Sequence, residues 1–451
     1  MNFDEALRYL LSLGHETLAI KLGLKNIGLL LQALGNPQDS YPAVQIAGTN
    51  GKGSTATVLD AICHAAGIKT GLFTSPHLIS ITERIRIGGK EISPEVFADR
   101  ATEVRNVAQR LMEDGGIAAL PSFFEQVTAI ALLTFRDTKV KLAILETGLG
   151  GRLDATSAAG ADVVALTPIA FDHEEYLGYT LESIAAEKAA IIRPGSTLMI
   201  AAQAPNVLQV IREQCARVGV QASINECTTA VEGTTPDGRL QVTFETPEDR
   251  YGGILVGLRG RHQITNVALA IRLAEALRAR GFAISRNEII AGIESANHAG
   301  RLEVWESEPA LLFDGAHNPA GARALRDYLN EFVSAPLTIV FGAMRDKHLD
   351  QMAEALCPAA SHLVLAALQN PRAATTEALR EIAARYIDPK LIREVQSTTE
   401  AISYAKEVTP AAGVICFTGS LYLIGEVQAA LRNNRTVDSN RKAAISNENT
   451  Q

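Results

Sequence analysis

Residues 43–55, AVQIAGTNGKGST, decide the fold. Ala43 to Ala47 read as a short buried strand, glycines follow, and a helix is predicted over roughly 54–66. In a strand–loop–helix of this kind glycines let backbone N–H groups turn toward a phosphate. The helix N-terminus adds partial positive charge, a lysine reaches the terminal phosphates, and a hydroxyl can ligate a divalent cation. Gly48, Thr49, Asn50, Gly51, Lys52, Gly53, Ser54 and Thr55 are therefore candidate nucleotide-binding residues. The usual spacing G-x-x-x-x-G-K-[ST] is not met, because Gly51 follows Gly48 too closely and Gly53 stands between Lys52 and Ser54. The competing reading is a glycine-rich turn with a solvated lysine.

Working outward, further strands are predicted at 69–74, 141–146, 162–168 and 197–202, with a helix at 123–136. Strands separated by helical stretches imply an α/β fold with a doubly wound, mainly parallel sheet. Residues 220–258 change character, and short alternations such as LQVTFET suggest a small antiparallel patch beside that sheet. A helix at 263–280 precedes a glycine-containing turn at 297–301. Strands at 310–314, 337–341, 363–366 and 413–417 then alternate with helices at 320–332, 376–385 and 421–431. The expected organisation is an ATP-binding P-loop domain over 1–297, opening on two helices within 1–35, and a smaller Rossmann-like α/β domain over 298–432. The polar, aromatic-free stretch 433–451 reads as a disordered tail.

Composition narrows the function. The 451 residues are 47% hydrophobic and 20% charged, enough to build aliphatic cores, with a formal net charge of -8. No basic run suggests nucleic-acid binding. Anion binding in an acidic protein must come from local devices such as the loop at 48–55. The five cysteines are scattered without a CxxC pair, which argues against a disulfide framework or a zinc site and for reduced thiols in the cytoplasm. No apolar run approaches the ~20 residues of a membrane span.

Other motifs fall where ligands gather in open α/β sheets, at the carboxyl ends of strands. Glu146 begins ETGLGGRLD at the end of strand 141–146, where a metal on the phosphates would sit; a turn-capping carboxylate is the alternative. Phe171-Asp172-His173-Glu174-Glu175 follows the next strand, so His173 is either structural or a metal ligand. Lys188 enters the apolar stretch AEKAAII, where a lysine must be neutralised or paired if buried. A neutral amine could take up CO2 as a carbamate, but the residues alone favour a lysine reaching to the surface. In the second domain Arg301 is suited to clamp phosphate or carboxylate, Asp314 to hold a ribose hydroxyl or a cation, and His317-Asn318 to face a cleft; DGAHNP as a simple strand-end turn is the alternative.

Taken in order, these motifs resemble the Mur ligase family, and more closely its folylpolyglutamate synthase/dihydrofolate synthase branch. The resemblance runs from about residue 18 to 431. It includes LGNPQ (34–38), AGTNGKGST, TSPHL (74–78), ERI (83–85), FFE (123–125), ETGLGGRLDAT (146–156), Asp172-His173 and LGYTL (177–181). It continues through Glu187-Lys188, His262-Gln263 with Asn266, GRLE (300–303), DGAHNP (314–319) and TGSLY (418–422). The phosphate loop and DGAHNP are shared across Mur ligases, whereas SPHL, ETGLGGRLDAT and TGSLY point to the folate branch.

The resemblance implies a role for each residue. Lys52 would contact the transferring phosphate. Ser54, Ser75 and Glu146 would hold one Mg²⁺, and Glu146, His173 and a carbamylated Lys188 a second. Asn266 and Arg301 would touch ATP, Asp314 its ribose, and His317 the phosphate or the incoming glutamate. Phe123, Phe124 and Ser420 would serve the substrate. Several positions depart from the usual pattern: Glu174 stands where Thr is usual, adding negative charge near the proposed metal, and Ala190 and Arg193 replace Gly and Lys. Ala299 replaces Pro, and His348 replaces the second Asp of DKD. The expected activity is ATP-dependent ligation of L-glutamate to folate or dihydropteroate through an acyl phosphate. The expected protein is a cytoplasmic monomer working on small molecules, with neither nucleic acid nor membrane as partner. A cell-wall precursor ligase using a UDP-sugar, a P-loop kinase or regulatory ATPase, and a non-catalytic binding module are the rivals.

Overall fold

Strand β1 (Ala43–Ala47) is buried at every position, as a strand in the middle of a covered parallel sheet requires. The computed structural model describes residues 1–14, 23–224 and 226–433. In it β1 is flanked by parallel β5 (Leu142–Glu146) and β6 (Val163–Leu166). The sheet extends on one side through β2 (Thr70–Phe73) to the short antiparallel β3 (Ile85–Ile87) and β4 (Lys90–Glu91). On the other it runs through β7 (Thr197–Ile200) to β8 (Ala222–Ile224). The chain leaves β1 for β2, skips the slot that β5 later fills, and then crosses to β6, so the sheet switches direction at β1. The carboxyl ends of β1, β2, β5 and β6 share one edge, and a switch point is where such sheets bind ligands.

One strand corrects the reading of 220–258. Ala222–Ile224 joins the main sheet, parallel to β7. The antiparallel patch is a separate three-stranded sheet of β9 (Thr228–Thr234), β10 (Leu240–Glu245) and β11 (Arg250–Leu255). Three residues with their side chains half-buried are too short to show a period that distinguishes them from the patch beyond.

The second sheet holds six strands: β12 (Glu303–Trp305), β13 (Ala310–Asp314), β17 (Val414–Thr418), β14 (Leu337–Phe341), β15 (His362–Ala366) and β16 (Ile392–Val395), in that spatial order. All pairings are parallel except that of β12 with β13. Aromatic rings knit its centre, with Phe313 stacked on Phe417 at 5.2 Å between centroids. Helices Phe3–Ser12 and Lys25–Ala33 precede the first sheet; of the tail predicted at 433–451, Asn433 ends a helix and the rest lies outside the described residues. Among the described residues no helix is long and apolar enough to cross a membrane, and all five cysteines are buried and unpaired.

Candidate active site

The phosphate loop closes tightly at the end of β1. Gly51 caps the helix Lys52–Ala65 at φ +89°, a left-handed conformation that glycine adopts without strain. A Cβ there would lie 2.1 Å from Asn266 Oδ1, so the glycine also admits Asn266 from the first turn of helix Gln263–Ala279. The unusual Gly53 has an equally concrete reason. Its Cβ would stand 2.9 Å from His298 Cε1 and 3.2 Å from Glu146 Oε2, so the loop departs from the usual spacing to let these side chains approach the backbone. Lys52 Nζ folds back onto the carbonyls of Gly48 and Thr49 at 3.2 and 3.1 Å. Those are weak holds that a phosphate oxygen can replace.

Around this loop gather Glu146 from a strand end, Asp172 and His173 from the loop after β6, and Lys188 from a helix. Glu146, the last residue of β5, is buried and accepts one hydrogen bond, from the Ser75 amide at 3.1 Å. Burial raises its carboxyl above the ordinary range, and Lys52, the Ser75 amide, Arg301 and Arg84 offset only part of that rise. A buried carboxylate short of positive charge is what a bound cation relieves.

Asp172 and His173 follow β6. Burial pulls Asp172 upward, yet its hydrogen bond to His317 and the charges of His173, His317 and Lys347 hold it well below the ordinary range. Lys347 Nζ sits 2.6 Å from Asp172 Oδ1. His173, in the left-handed region at φ +51°, is depressed chiefly by its enclosure, against the pull of Asp172.

Lys188 overturns the residue-level expectation of a surface lysine. It is 4% exposed and donates to the Gly48 carbonyl at 2.8 Å. The reason is helical spacing: Lys188 lies four residues after Ile184 on the buried face of helix Leu181–Ala189. Burial, helped by Lys52, lowers its ammonium to about 7, against the pull of Asp172 and Asp154. A substantial fraction of the amine is therefore neutral near neutral pH.

The second sheet closes the site from the opposite side. Asp314 ends β13, and its oxygens accept from the amides of Leu302 and Ala316, each at 3.0 Å. Burial raises it despite Arg301, His262 and those amides. Arg301 Nη1 donates to the Gly315 carbonyl at 3.0 Å. His317 places Nδ1 2.8 Å from the same carbonyl and Nε2 3.5 Å from Asp172 Oδ2. Asn318 caps helix Pro319–Phe332 through the Gly321 amide and donates Nδ2 to Asn50 Oδ1 at 2.9 Å, pinning this sheet's loop to the phosphate loop. Ser420 is buried, with its hydroxyl accepting from the Tyr422 amide at 3.1 Å.

Between the two sides lies a cavity of about 480 Å³. The candidate site residues line it except Gly48, Thr55 and Asn318. Phe123 and Phe124 form its apolar side. They open a helix capped by Ser122 and Glu125; the Arg84 guanidinium lies 5.6 Å from the Phe123 ring centroid, and Phe124 packs on Phe73. Among the described residues no group of three or more His, Cys, Asp or Glu side chains forms a ready metal cage. Hydroxyls, an amine and ATP oxygens would have to share the task.

Three contacts escaped the sequence reading. His298 Nδ1 faces Ser54 Oγ at 3.2 Å, and the ring is held below the ordinary imidazole range by burial, Arg301 and Arg86. Lys347 pairs with Asp172 across the cleft. The departures Glu174 and His348 meet, Glu174 Oε1 on His348 Nε2, so the extra negative charge is directed to the second sheet's loop. All join residues more than a hundred positions apart, which no local pattern reveals.

Comparison with known proteins places the chain among related sequences and folds. Residues 46–274 match the Mur ligase middle domain, and residues 300–421 match the Mur ligase, glutamate ligase domain. The chain is 34% identical to the dihydrofolate synthase/folylpolyglutamate synthase of Bacillus subtilis (strain 168) over 424 residues, covering 93% of this chain and 97% of that protein. Its fold is similar to Mycobacterium tuberculosis folylpolyglutamate synthase complexed with ADP, with a TM-score of 0.88 and 32% identity over 95% of this chain and 99% of that one. It is also similar to a bifunctional folylpolyglutamate synthase/dihydrofolate synthase solved with Mn, AMPPNP and L-glutamate bound. There the TM-score is 0.82 at 30% identity, covering 96% of this chain and 98% of that one.

Proposed function

The chain belongs to the Mur ligase family, in its folylpolyglutamate synthase/dihydrofolate synthase branch, and from that premise we propose how its cavity joins L-glutamate to a folate carboxylate at the expense of ATP. The observation that carries the reading is the single cavity in which the phosphate loop, the buried Glu146 and Lys188, and the Arg301 and His317 of the opposite sheet meet beside an aromatic wall.

A carboxylate is a poor acylating agent because oxide would have to leave. Its oxygen attacks the γ-phosphorus of ATP, the bond to the β-phosphate oxygen breaks, and ADP departs, leaving an acyl phosphate. The amine of glutamate then attacks the acyl carbon, loses a proton, and phosphate leaves. The protein supplies mainly position and charge. Lys52 turns from its loop carbonyls to the transferring phosphoryl group, and loop amides from Gly48 to Thr55 hold the phosphates with the helix N-terminus behind them. Arg301 neutralises charge from the opposite side, Asn266 orients the nucleotide against Gly51, and Asp314 holds the loop that faces the ribose. His317 positions the phosphate or the incoming glutamate, while Phe123, Phe124 and Ser420 shape the folate side. The pins Asn50–Asn318 and Asp172–Lys347 keep water from the acyl phosphate by holding the sides together.

The residues fit divalent metal, because Glu146 is a buried carboxylate whose charge its neighbours only partly offset. Ser54, Ser75 and Glu146 would hold one Mg²⁺, and Glu146, His173 and Lys188 a second. Such ions would offset phosphate charge during transfer. An ammonium cannot ligate metal. The lowered, buried Lys188 suits carbamylation, in which its neutral amine adds to CO2 and releases a proton to become an anion.

We divide the chain into working parts at 1–297 and 298–432 and place it in the cytoplasm as a monomer. The experiment is incorporation of labelled glutamate into dihydropteroate, a reduced monoglutamyl folate, or a UDP-sugar cell-wall precursor. Incorporation with at least one pteridine acceptor and none with the UDP-sugar is expected; the reverse pattern contradicts the folate reading.

A further inference from the structure

Ser54 is buried in the first turn of the helix that follows the phosphate loop, and its Oγ faces His298 Nδ1 at 3.2 Å. His298 comes from the turn at 297–301 that carries Arg301, and its own carbonyl accepts from the Arg301 amide at 3.3 Å. Its ring reaches Ser54 only because position 53 has no side chain: a Cβ on Gly53 would lie 2.9 Å from His298 Cε1. Two independent features, the glycine and the hydrogen bond, thus converge on one contact between the loop and the turn bearing the arginine.

A hydroxyl has one proton and two lone pairs. If Ser54 offers a lone pair to a cation, its proton must go to an acceptor elsewhere. Neutral imidazole has one acceptor nitrogen, and with the proton on Nε2 that acceptor is Nδ1, the atom facing Ser54. With the opposite tautomer the ring would donate instead and consume one of the lone pairs.

We infer that His298 is a positioning residue whose Nδ1 accepts a hydrogen bond from the Ser54 hydroxyl and so turns the oxygen's lone pairs toward the metal–nucleotide. The inference rests on reading the loop as an ATP–metal site. His298 is not among the residues lining the cavity; it acts through Ser54, and by sharing a turn with Arg301 it ties that orientation to the opposite side of the cleft. Partners that orient a metal ligand commonly change metal affinity 10–100-fold when removed, so a loss of about tenfold or more is expected here.

The test uses two amides that place a polar group differently. An asparagine amide reaches the position of Nδ1 and can accept there, whereas a glutamine amide extends toward the position of Nε2. Binding of AMPPNP to the full chain is measured by calorimetry with Mg²⁺ and with chelator, alongside the thermal midpoint of the free protein. The expected result is that His298→Gln loses about tenfold or more of the Mg²⁺-dependent tightening, while His298→Asn keeps it. Both should retain metal-free affinity and the thermal midpoint. Equal behaviour of the two variants, or a loss of metal-free affinity in step with the Mg²⁺-dependent term, overturns the inference and leaves His298 as packing. Absence of Mg²⁺-dependent tightening in the unaltered protein overturns both the inference and the metal site on which it rests.

Discussion

Lys52→Ala is expected to lower kcat by ~10²–10³ while leaving the folded protein intact, because a preorganised charge on a transferring group is worth about that much. The lysine sits at the start of a helix, and among the described residues its amine hydrogen-bonds to the carbonyls of Gly48 and Thr49 in its own loop, so removing it costs little packing. Single-turnover kinetics with saturating ATP, compared with the urea midpoint of the same protein, separate the two effects. A Lys52→Ala protein with near-normal kcat would show that the loop does not serve phosphate, and one that unfolds would show that the lysine is structural.

Lys188→Ala is expected to have an effect of similar size, on the order of 10² or more, by removing a charged group from the phosphate environment. The rescue pattern distinguishes this residue from Lys52. If Lys188 works as a carbamate, a small carboxylate such as acetate can enter the space left by alanine and restore part of the activity. Lys188→Arg should not be rescued, since the guanidinium remains charged and fills that space. Because Lys188 is also packed in a buried helix face, the thermal midpoint of each variant must be read beside its rate. Folded Lys188→Ala protein with full activity, or with none that acetate restores, would count against the carbamate.

Much of this architecture was legible because parallel sheets announce themselves locally. β1, β5, β6 and β13 are short apolar runs that end in, or lead within a few residues to, chemistry-bearing residues, and strand ends are where such residues converge. That rule put Glu146, His173 and Asp314 near strand ends but left each open to a structural reading, and the family resemblance assigned their roles. Lys188 was ambiguous for a physical reason: AEKAAII gives apolar neighbours on all sides, and only its helix's packing shows which face is inward. Ala222–Ile224 was assigned to the wrong sheet because three residues carry no period.

Contacts that depend on closure of the two sides were illegible. His298 on Ser54, Lys347 on Asp172 and His348 on Glu174 exist only because the helix start after β1 meets the turn before β12, and the loop after β6 meets the loop after β14, in space. The last pair also recasts two departures from the family pattern. Each looked like an isolated change, and together they form one contact across the cleft.

The central claim is that phosphoryl transfer waits for the folate carboxylate. ADP formation measured with ATP and Mg²⁺, then with folate acceptor added, and then with glutamate as well, tests it most directly. The account predicts background ADP from ATP and Mg²⁺ alone, at most a stoichiometric burst with the acceptor, and steady release matched to ligated product only when all three substrates are present. Rapid, continuous ADP production from ATP and Mg²⁺ alone would contradict it and identify the protein as an ATPase.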